Sequence, residues 1–238
     1  MQIAIVIPAH NEADYIGPCI ESVIRHGAGR FNEIVVVDNA STDGTGEVAA
    51  RFPGVRVVRE DRKGLTRARQ TGLEATTAEF VAYMDGDSRL DASWFQKAES
   101  LIARYPEAVS WSGPVYYYDA PSRAWNLTLG LGWWLTAPLM YRLVGYMVLG
   151  GNFMVRRSAV LEIGGFDPNI SFYGEDMTLA RRLSKVGTTI FRMQFFGLTS
   201  ARRFIKEGYL RTNMHYVMNY TWPVLFGRPY HREYTDVR

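Results

Sequence analysis

Two aspartates one residue apart, in Met84-Asp85-Gly86-Asp87, follow directly on an apolar run that reads as a strand. Carboxylates are hard oxygen ligands suited to Mg²⁺ or Mn²⁺, ions that keep several waters and take substrate phosphates in their remaining positions. A pair at a strand end could therefore clamp a diphosphate through a metal. The alternative is a surface turn, since Asp-Gly is a common turn dipeptide. A second carboxylate, Asp38, closes another apolar run and opens Asp38-Asn39-Ala40-Ser41-Thr42-Asp43-Gly44-Thr45. There it could accept hydrogen bonds from a base imino group or from ribose hydroxyls. Ser41, Thr42 and Asp43 read as caps for the helix that follows.

Placing Asp38, Asp85 and Asp87 together requires a particular frame. Residues 3–8, 33–38, 55–59 and 80–85 form apolar β-type runs, and 17–26, 43–52 and 64–75 between them are helix-like. The order is βαβαβαβ. Ile34-Val35-Val36-Val37 is apolar at every position, as expected of a strand covered on both faces in a parallel sheet sandwiched by helices. Pro18 fits the first turn of its helix. In such sheets ligands bind beyond the carboxyl ends of the strands, where helix N-termini and loop amides converge. Beyond residue 91 a helix at 92–105 precedes an aromatic run at 111–118, an apolar stretch at 127–151, and a helix from Glu175-Asp176 to near Gly187.

At 238 residues, with 47% apolar and 21% charged side chains, the chain has the composition of one folded α/β domain. Residues 1–90 read as a nucleotide-binding half, 91–200 as an acceptor-side half, and 201–238 as a basic tail. Basic residues number 27 against 24 acidic ones and are scattered, which points away from nucleic acid. Cys19 is the sole cysteine, so neither an intrachain disulfide nor a thiolate metal cluster can form. The first strand carries no basic prefix and no small-residue cleavage site, so it does not read as a signal peptide, and a cytoplasmic location is expected. The stretch 127–151 contains Pro138, Arg142 and five glycines, which favours a buried or interfacial segment over a membrane span. Trp125, Trp133, Trp134, Tyr141 and Tyr146 suit sugar stacking or a membrane interface. With the basic tail they predict peripheral contact, at the inner face of the cytoplasmic membrane, through 125–150 and the tail.

The ordered segments Ile5-Val6-Ile7-Pro8-Ala9-His10-Asn11-Glu12, Asp38 to Thr45, Lys63-Gly64-Leu65-Thr66-Arg67-Ala68-Arg69-Gln70-Thr71-Gly72, Asp85-Gly86-Asp87, Gly150-Gly151-Asn152, Gly164-Gly165-Phe166 and Gly174-Glu175-Asp176 resemble the motif series of family-2 glycosyltransferases. The resemblance extends over residues 3–187. It implies a GT-A fold, Rossmann-like and mostly parallel, with an elaborated acceptor-side second half. It also implies a nucleotide-diphosphate sugar donor, an acceptor hydroxyl on a sugar or a lipid-linked molecule, a divalent cation, and inversion at the anomeric carbon.

By position, the resemblance implies that Pro8, Ala9 and Glu12 line the nucleotide pocket and that Asp38 reads the base, uridine in the first instance. Gly64 and Arg69 fall near the base, ribose or diphosphate. Asp87 is the first metal ligand, with Asp85 and Gly86 beside ribose or metal-bound water. Asp176, paired with Glu175, supplies the catalytic base, and Gly150, Gly151 and Asn152 flank the donor sugar or acceptor. Arg202 and Arg203 lie in a segment resembling one that closes over the diphosphate. His10 departs from many relatives, and neither it nor His215 is assigned as a third metal ligand. Two rival readings stand beside this one: a metal-dependent nucleotidyltransferase, which lacks a Gly-x-x-x-x-Gly-Lys-Ser/Thr loop here, and a non-catalytic sugar- or lipid-binding module of the same fold.

Overall fold

The structure, a computed structural model, describes all residues except 28, 171, 227–229 and 231–238, and also leaves aside the side chains of Leu129 and Trp133. The Trp133 ring and most of the basic tail beyond Phe226 thus lie outside the described residues.

Seven strands form one sheet. Its first half alternates β1 (Ile3–Ala9), α1 (Ala13–Gly27), β2 (Glu33–Asn39), α2 (Thr45–Ala49), β3 (Val55–Glu60), α3 (Leu65–Ala75) and β4 (Phe80–Tyr83). The second half adds α4 (Trp94–Arg104), β5 (Ala108–Ser112), β6 (Val115–Tyr117), α5 (Arg123–Val144), β7 (Phe153–Arg156), α6 (Arg157–Glu162), α7 (Glu175–Leu183), β8 (Thr188–Phe191), β9 (Gly197–Thr199), α8 (Arg202–Glu207) and α9 (Tyr209–Phe226). The sheet order is β3-β2-β1-β4-β7-β5-β8, and β6 pairs with β9 in a small second sheet. All pairings in the large sheet are parallel except those of β7, which runs antiparallel to both β4 and β5.

The continuous apolar strands are covered on both sides, as their composition requires. Ile3, Ile5 and Ile7 face α1 and α4, packing with Ile16, Ile20, Trp94 and Phe95. Val6, Val35, Val37 and Tyr83 face α3 and α7, packing with Ala68, Leu73, Leu179 and Leu183. The approach of α3 to β1 depends on Gly72, where an added Cβ would fall 2.2 Å from Val6 Cγ1. Gly72→Ala is therefore expected to destabilise the fold by about 1–3 kcal/mol through overpacking, seen as a lowered thermal midpoint. An unchanged midpoint would show that α3 can shift without cost.

Two local expectations are corrected. Pro18 lies inside α1, which begins five residues earlier, at Ala13. The cap that permits this early start comes from elsewhere in the chain: Asp43 Oδ2 accepts the Ala13 amide at 3.0 Å. Ser41 and Thr42 do not cap α2, whose N-cap is Gly44 in the left-handed region. Instead the Ser41 hydroxyl accepts the Asn11 amide at 3.1 Å, and Asn11 Oδ1 accepts the Thr42 amide at 2.9 Å. These bonds stitch the loop after β1 to the loop after β2 and fix the carboxyl edge of the sheet. Along that edge Ala9 pairs with Asp38, and Asp38 with Arg59.

Candidate active site

The acidic residues singled out from the sequence gather at this edge. Asp85 and Asp87 lie on the turn after β4, held against the loop after β1: a Cβ on Gly86 would stand 3.3 Å from Glu12 Cγ and 3.4 Å from Ala9 Cβ. Glu12 is fixed in turn by its amide, which donates to Thr45 Oγ1 at 2.7 Å.

Two guanidinium groups organise the carboxylates. Arg202, at the start of α8, donates to Glu12 Oε1, and its Nε lies 2.9 Å from Asp87 Oδ2. It rests over the Tyr15 ring, 4.5 Å from the centroid. Asp87 also receives Thr199 Oγ1 at 3.3 Å, and its carbonyl accepts the Tyr118 hydroxyl at 3.1 Å. Arg69, on α3, is 1% exposed; Nη1 donates to Glu175 Oε1 at 2.6 Å and Nη2 to the Gly150 carbonyl at 2.9 Å, with Asp85 Oδ1 3.6 Å away. The Gly150 amide donates to Asp176 Oδ2 at 3.3 Å, and the Met177 amide donates to Oδ1 at 2.8 Å. Arg69 thus joins Asp85, the Gly150-Gly151 turn and the start of α7.

Glycine is needed in that turn. A Cβ on Gly150 would meet Glu175 Oε1 at 2.9 Å, and one on Gly151 would meet Asp85 Oδ2 at 3.2 Å.

Electrostatics separate the neighbouring acids of α7. Burial raises the Glu175 carboxyl to about 8, with Arg69 pulling it down and Asp176 pushing it further up. Burial alone would lower the Arg69 pKa, but Glu175 and Asp85 outweigh it and the guanidinium stays charged. Burial also raises Asp176, against the pull of the Met177 amide and Arg69. Asp176 is half-buried whereas Glu175 is buried, so of the two it is Asp176 that can meet a substrate.

Arg69 is enclosed and holds Glu175 and the Gly150 carbonyl in place. Glu175 is held in the same pair. The Asn152 side chain is 3% exposed: Oδ1 accepts Trp94 Nε1 at 2.9 Å and Nδ2 donates to the Phe195 carbonyl at 2.6 Å. It anchors the start of β7 to α4 and to the Phe195 carbonyl. Gly64 precedes α3, its amide donating to Asn39 Oδ1 at 2.8 Å. Pro8 and Ala9 end β1 in the register beside Asp38. Asp38 accepts Arg59 Nη1 at 2.5 Å and the Ser41 amide at 3.2 Å. Its partner Arg59 was overlooked in the sequence, although the two are opposed at the ends of consecutive strands. Arg203 donates to the Tyr173 hydroxyl and to Glu207 Oε1, at 3.1 and 3.3 Å.

The donor set suits a divalent ion. Glu12 and Asp87 converge on Arg202, Asp85 and Glu175 on Arg69, and Asp176 on the Gly150 amide, so carboxylate oxygens crowd this stretch of the edge. Among the described residues no three His, Cys, Asp or Glu side chains are grouped to hold a metal. Asp87, with Asp85 beside it, would therefore supply the protein's share, and phosphate and water oxygens the rest, as Mg²⁺ and Mn²⁺ prefer.

Residues 4–164 match Glycosyl transferase family 2, and 136–206 match a family described as the N-terminal domain of galactosyltransferase. Glycosyltransferase AglE of Haloferax volcanii is 27% identical over 210 residues, covering 85% of this chain and 68% of that protein. The pre-mycofactocin glycosyltransferase of Mycobacterium tuberculosis is 28% identical over 200 residues, covering 79% of this chain and 40% of that protein. Among solved structures, the mannosyltransferase PcManGT from Pyrobaculum calidifontis in complex with GDP-Man and Mn²⁺ superposes with a TM-score of 0.71 at 20% identity, over 96% of this chain and 65% of that one. S. aureus TarS 1–349 in complex with UDP-GlcNAc gives 0.65 at 16% identity, over 84% of this chain and 58% of that one. The chain thus spans from about two fifths to about two thirds of these relatives. The fold, the ordered motifs and a match over most of its length identify the chain as a member of glycosyl transferase family 2, with the GT-A architecture.

Proposed function

We propose that the chain transfers a sugar from a nucleotide-diphosphate donor, a UDP-sugar in the first instance, to an acceptor hydroxyl on a sugar or lipid-linked molecule, with inversion and with Asp176 as base. The observation that carries this reading is the Arg69 bridge, which brings Glu175 and Gly150, and through the Gly150 amide Asp176, beside the strand-end Asp85, two residues before Asp87. An acidic acceptor-side group next to a cation-seeking pair is what a direct displacement needs. The acceptor oxygen bonds to the anomeric carbon on one face while the bond to the diphosphate oxygen breaks on the other. The acceptor proton passes to Asp176, and the nucleoside diphosphate departs with the bonding electrons. A bound Mg²⁺ or Mn²⁺ would supply charge neutralisation for that leaving group. The donors and Mn²⁺ named for the neighbouring structures support this choice of donor class and ion. The exposed apolar helix α5 and its arginines support work at a membrane face.

Arg202 has a double part in this scheme. With no donor bound it satisfies Asp87 and Glu12; with a donor, its charge suits the diphosphate. Arg202→Gln is therefore expected to raise Mn²⁺ affinity without nucleotide and to lower UDP affinity with Mn²⁺ present, each by about tenfold, the worth of one charge-assisted contact of about 1.5 kcal/mol. Calorimetric titration reads both. A change of the same sign in the two titrations would contradict the double role. The reading as a whole is tested by screening nucleotide sugars for metal-dependent donor hydrolysis. Slow sugar release is expected, stopped by chelator and cut about 10²–10³-fold in Asp87→Ala, on the scale of one lost electrostatic stabiliser. Consumption of nucleoside triphosphates instead would establish a nucleotidyltransferase.

A further inference from the structure

Helices α5 and α9 meet near their starts and again farther along. Trp125 near the start of α5 packs edge-on against Tyr209 at the start of α9, with centroids 5.7 Å apart. Farther along, Ala137, Met140 and Tyr141 share a cluster with Tyr220 and Val224. The two meeting points come in the same order along both helices, so the helices run in the same general direction, each about 30 Å long at 1.5 Å per residue. Their inner sides complete the protein core, yet their outer sides are also apolar. On α5, Leu127, Leu131, Leu135, Leu139 and Leu143 recur every four residues and each is more than half exposed. On α9, Leu210, Met214, Val217 and Leu225 form a matching exposed row. A helix apolar all round is normally buried all round, and an exposed apolar area of this extent on a soluble surface marks an interaction site.

The charges around the rows select the partner. Neither α5 nor α9 contains Asp or Glu. Arg123 and Arg142 on α5, Arg211 on α9 and Lys206 on α8 are exposed. A second copy docking by the same face would bring these cations against their equivalents, because a two-fold interface matches a patch with itself. An anionic bilayer would neutralise them, at about 1 kcal/mol per basic residue near the surface. No described helix is long and apolar enough to cross a membrane, so the pair would lie in the interfacial plane with the outer rows among the acyl chains.

Helix α9 borders the start of α7: Tyr220 packs in the cluster that holds Met177, the residue after Asp176, and its hydroxyl is buried without a hydrogen-bond partner among the described residues. We propose that the outer face of α5 and α9 docks on an anionic phospholipid bilayer, so that a membrane-anchored acceptor reaches Asp176 past Tyr220. The acceptor half of this proposal rests on the transferase reading above; the docking half does not.

Co-flotation with vesicles of phosphatidylcholine alone or with added phosphatidylglycerol tests it. The chain is expected to float with the anionic vesicles and at least tenfold less with the neutral ones. Leu135→Glu and Val217→Glu should each reduce flotation severalfold while leaving the thermal midpoint and UDP–Mn²⁺ affinity unchanged. Loss of nucleotide binding in wild type with flotation intact would sink the transferase reading and leave the docking face standing. Absence of flotation with anionic vesicles, equal flotation of the glutamate variants, or a dimer in solution that these variants dissociate would overturn the docking face.

Discussion

Asp176→Asn is expected to lower kcat for transfer by about 10²–10⁴-fold, the usual worth of a positioned general base, with donor and Mn²⁺ affinity little changed. The amide keeps the shape of the side chain, and Oδ1 still accepts the Met177 amide, but it cannot take a proton. The wild-type pH profile carries the same signature. Burial holds the Asp176 carboxyl above its ordinary value, and only the ionised form can act as base. Activity should therefore fall as pH drops through that raised value, and this acidic limb should be missing from the residual activity of the variant. Stopped-time assays across pH, with binding measured separately, read both effects. A variant that retains the wild-type limb would move the base role elsewhere.

Arg69→Met is expected to destabilise the fold by about 3–5 kcal/mol, because it leaves Glu175 buried opposite an apolar side chain. Arg69 and Glu175 are 1% and 8% exposed at 2.6 Å, so water cannot replace the lost partner. Arg69→Lys should recover only part of this, since one ammonium cannot span both Glu175 and the Gly150 carbonyl as the fork does. The double variant Arg69→Met with Glu175→Leu should regain much of the stability while losing activity, because the Gly150 turn that orients Asp176 has lost its anchor. Denaturant unfolding reads the first two outcomes. If the double variant keeps full turnover, Arg69 serves stability alone.

The legible and illegible parts of this molecule differ by range of interaction. Strands β1, β2 and β4 could be read because each is apolar at consecutive positions, a pattern only a doubly covered strand requires. The Asp85-Gly86-Asp87 turn followed from its place after such a run. The start of α1 could not be read locally, since its cap is Asp43, 30 residues away, and Pro18 offered a misleading marker. The resemblance sets Asn152 beside the donor sugar or acceptor, while its side-chain amide bonds Trp94 and the Phe195 carbonyl, which topology alone brings near. The antiparallel β7 returns to β4 after some 70 residues, and Arg202 meets Glu12 across 190 positions, so no sequence window contains either event. The leucine row of α5 lay within a segment expected to be buried or interfacial, and its exposure decides against burial. The companion row of α9 is masked in the sequence by the basic residues Arg202, Arg203, Lys206 and Arg211 that precede or interrupt it.

In the proposed reaction a single site unites donor binding at Asp87 with proton removal at Asp176. Titration of UDP in the presence of Mn²⁺ into wild type, Asp87→Ala and Asp176→Asn tests it most directly. Wild type and Asp176→Asn should bind alike, and Asp87→Ala should bind at least a hundredfold more weakly. Failure of UDP and GDP to bind wild type with Mn²⁺, or undiminished binding to Asp87→Ala, would contradict the account.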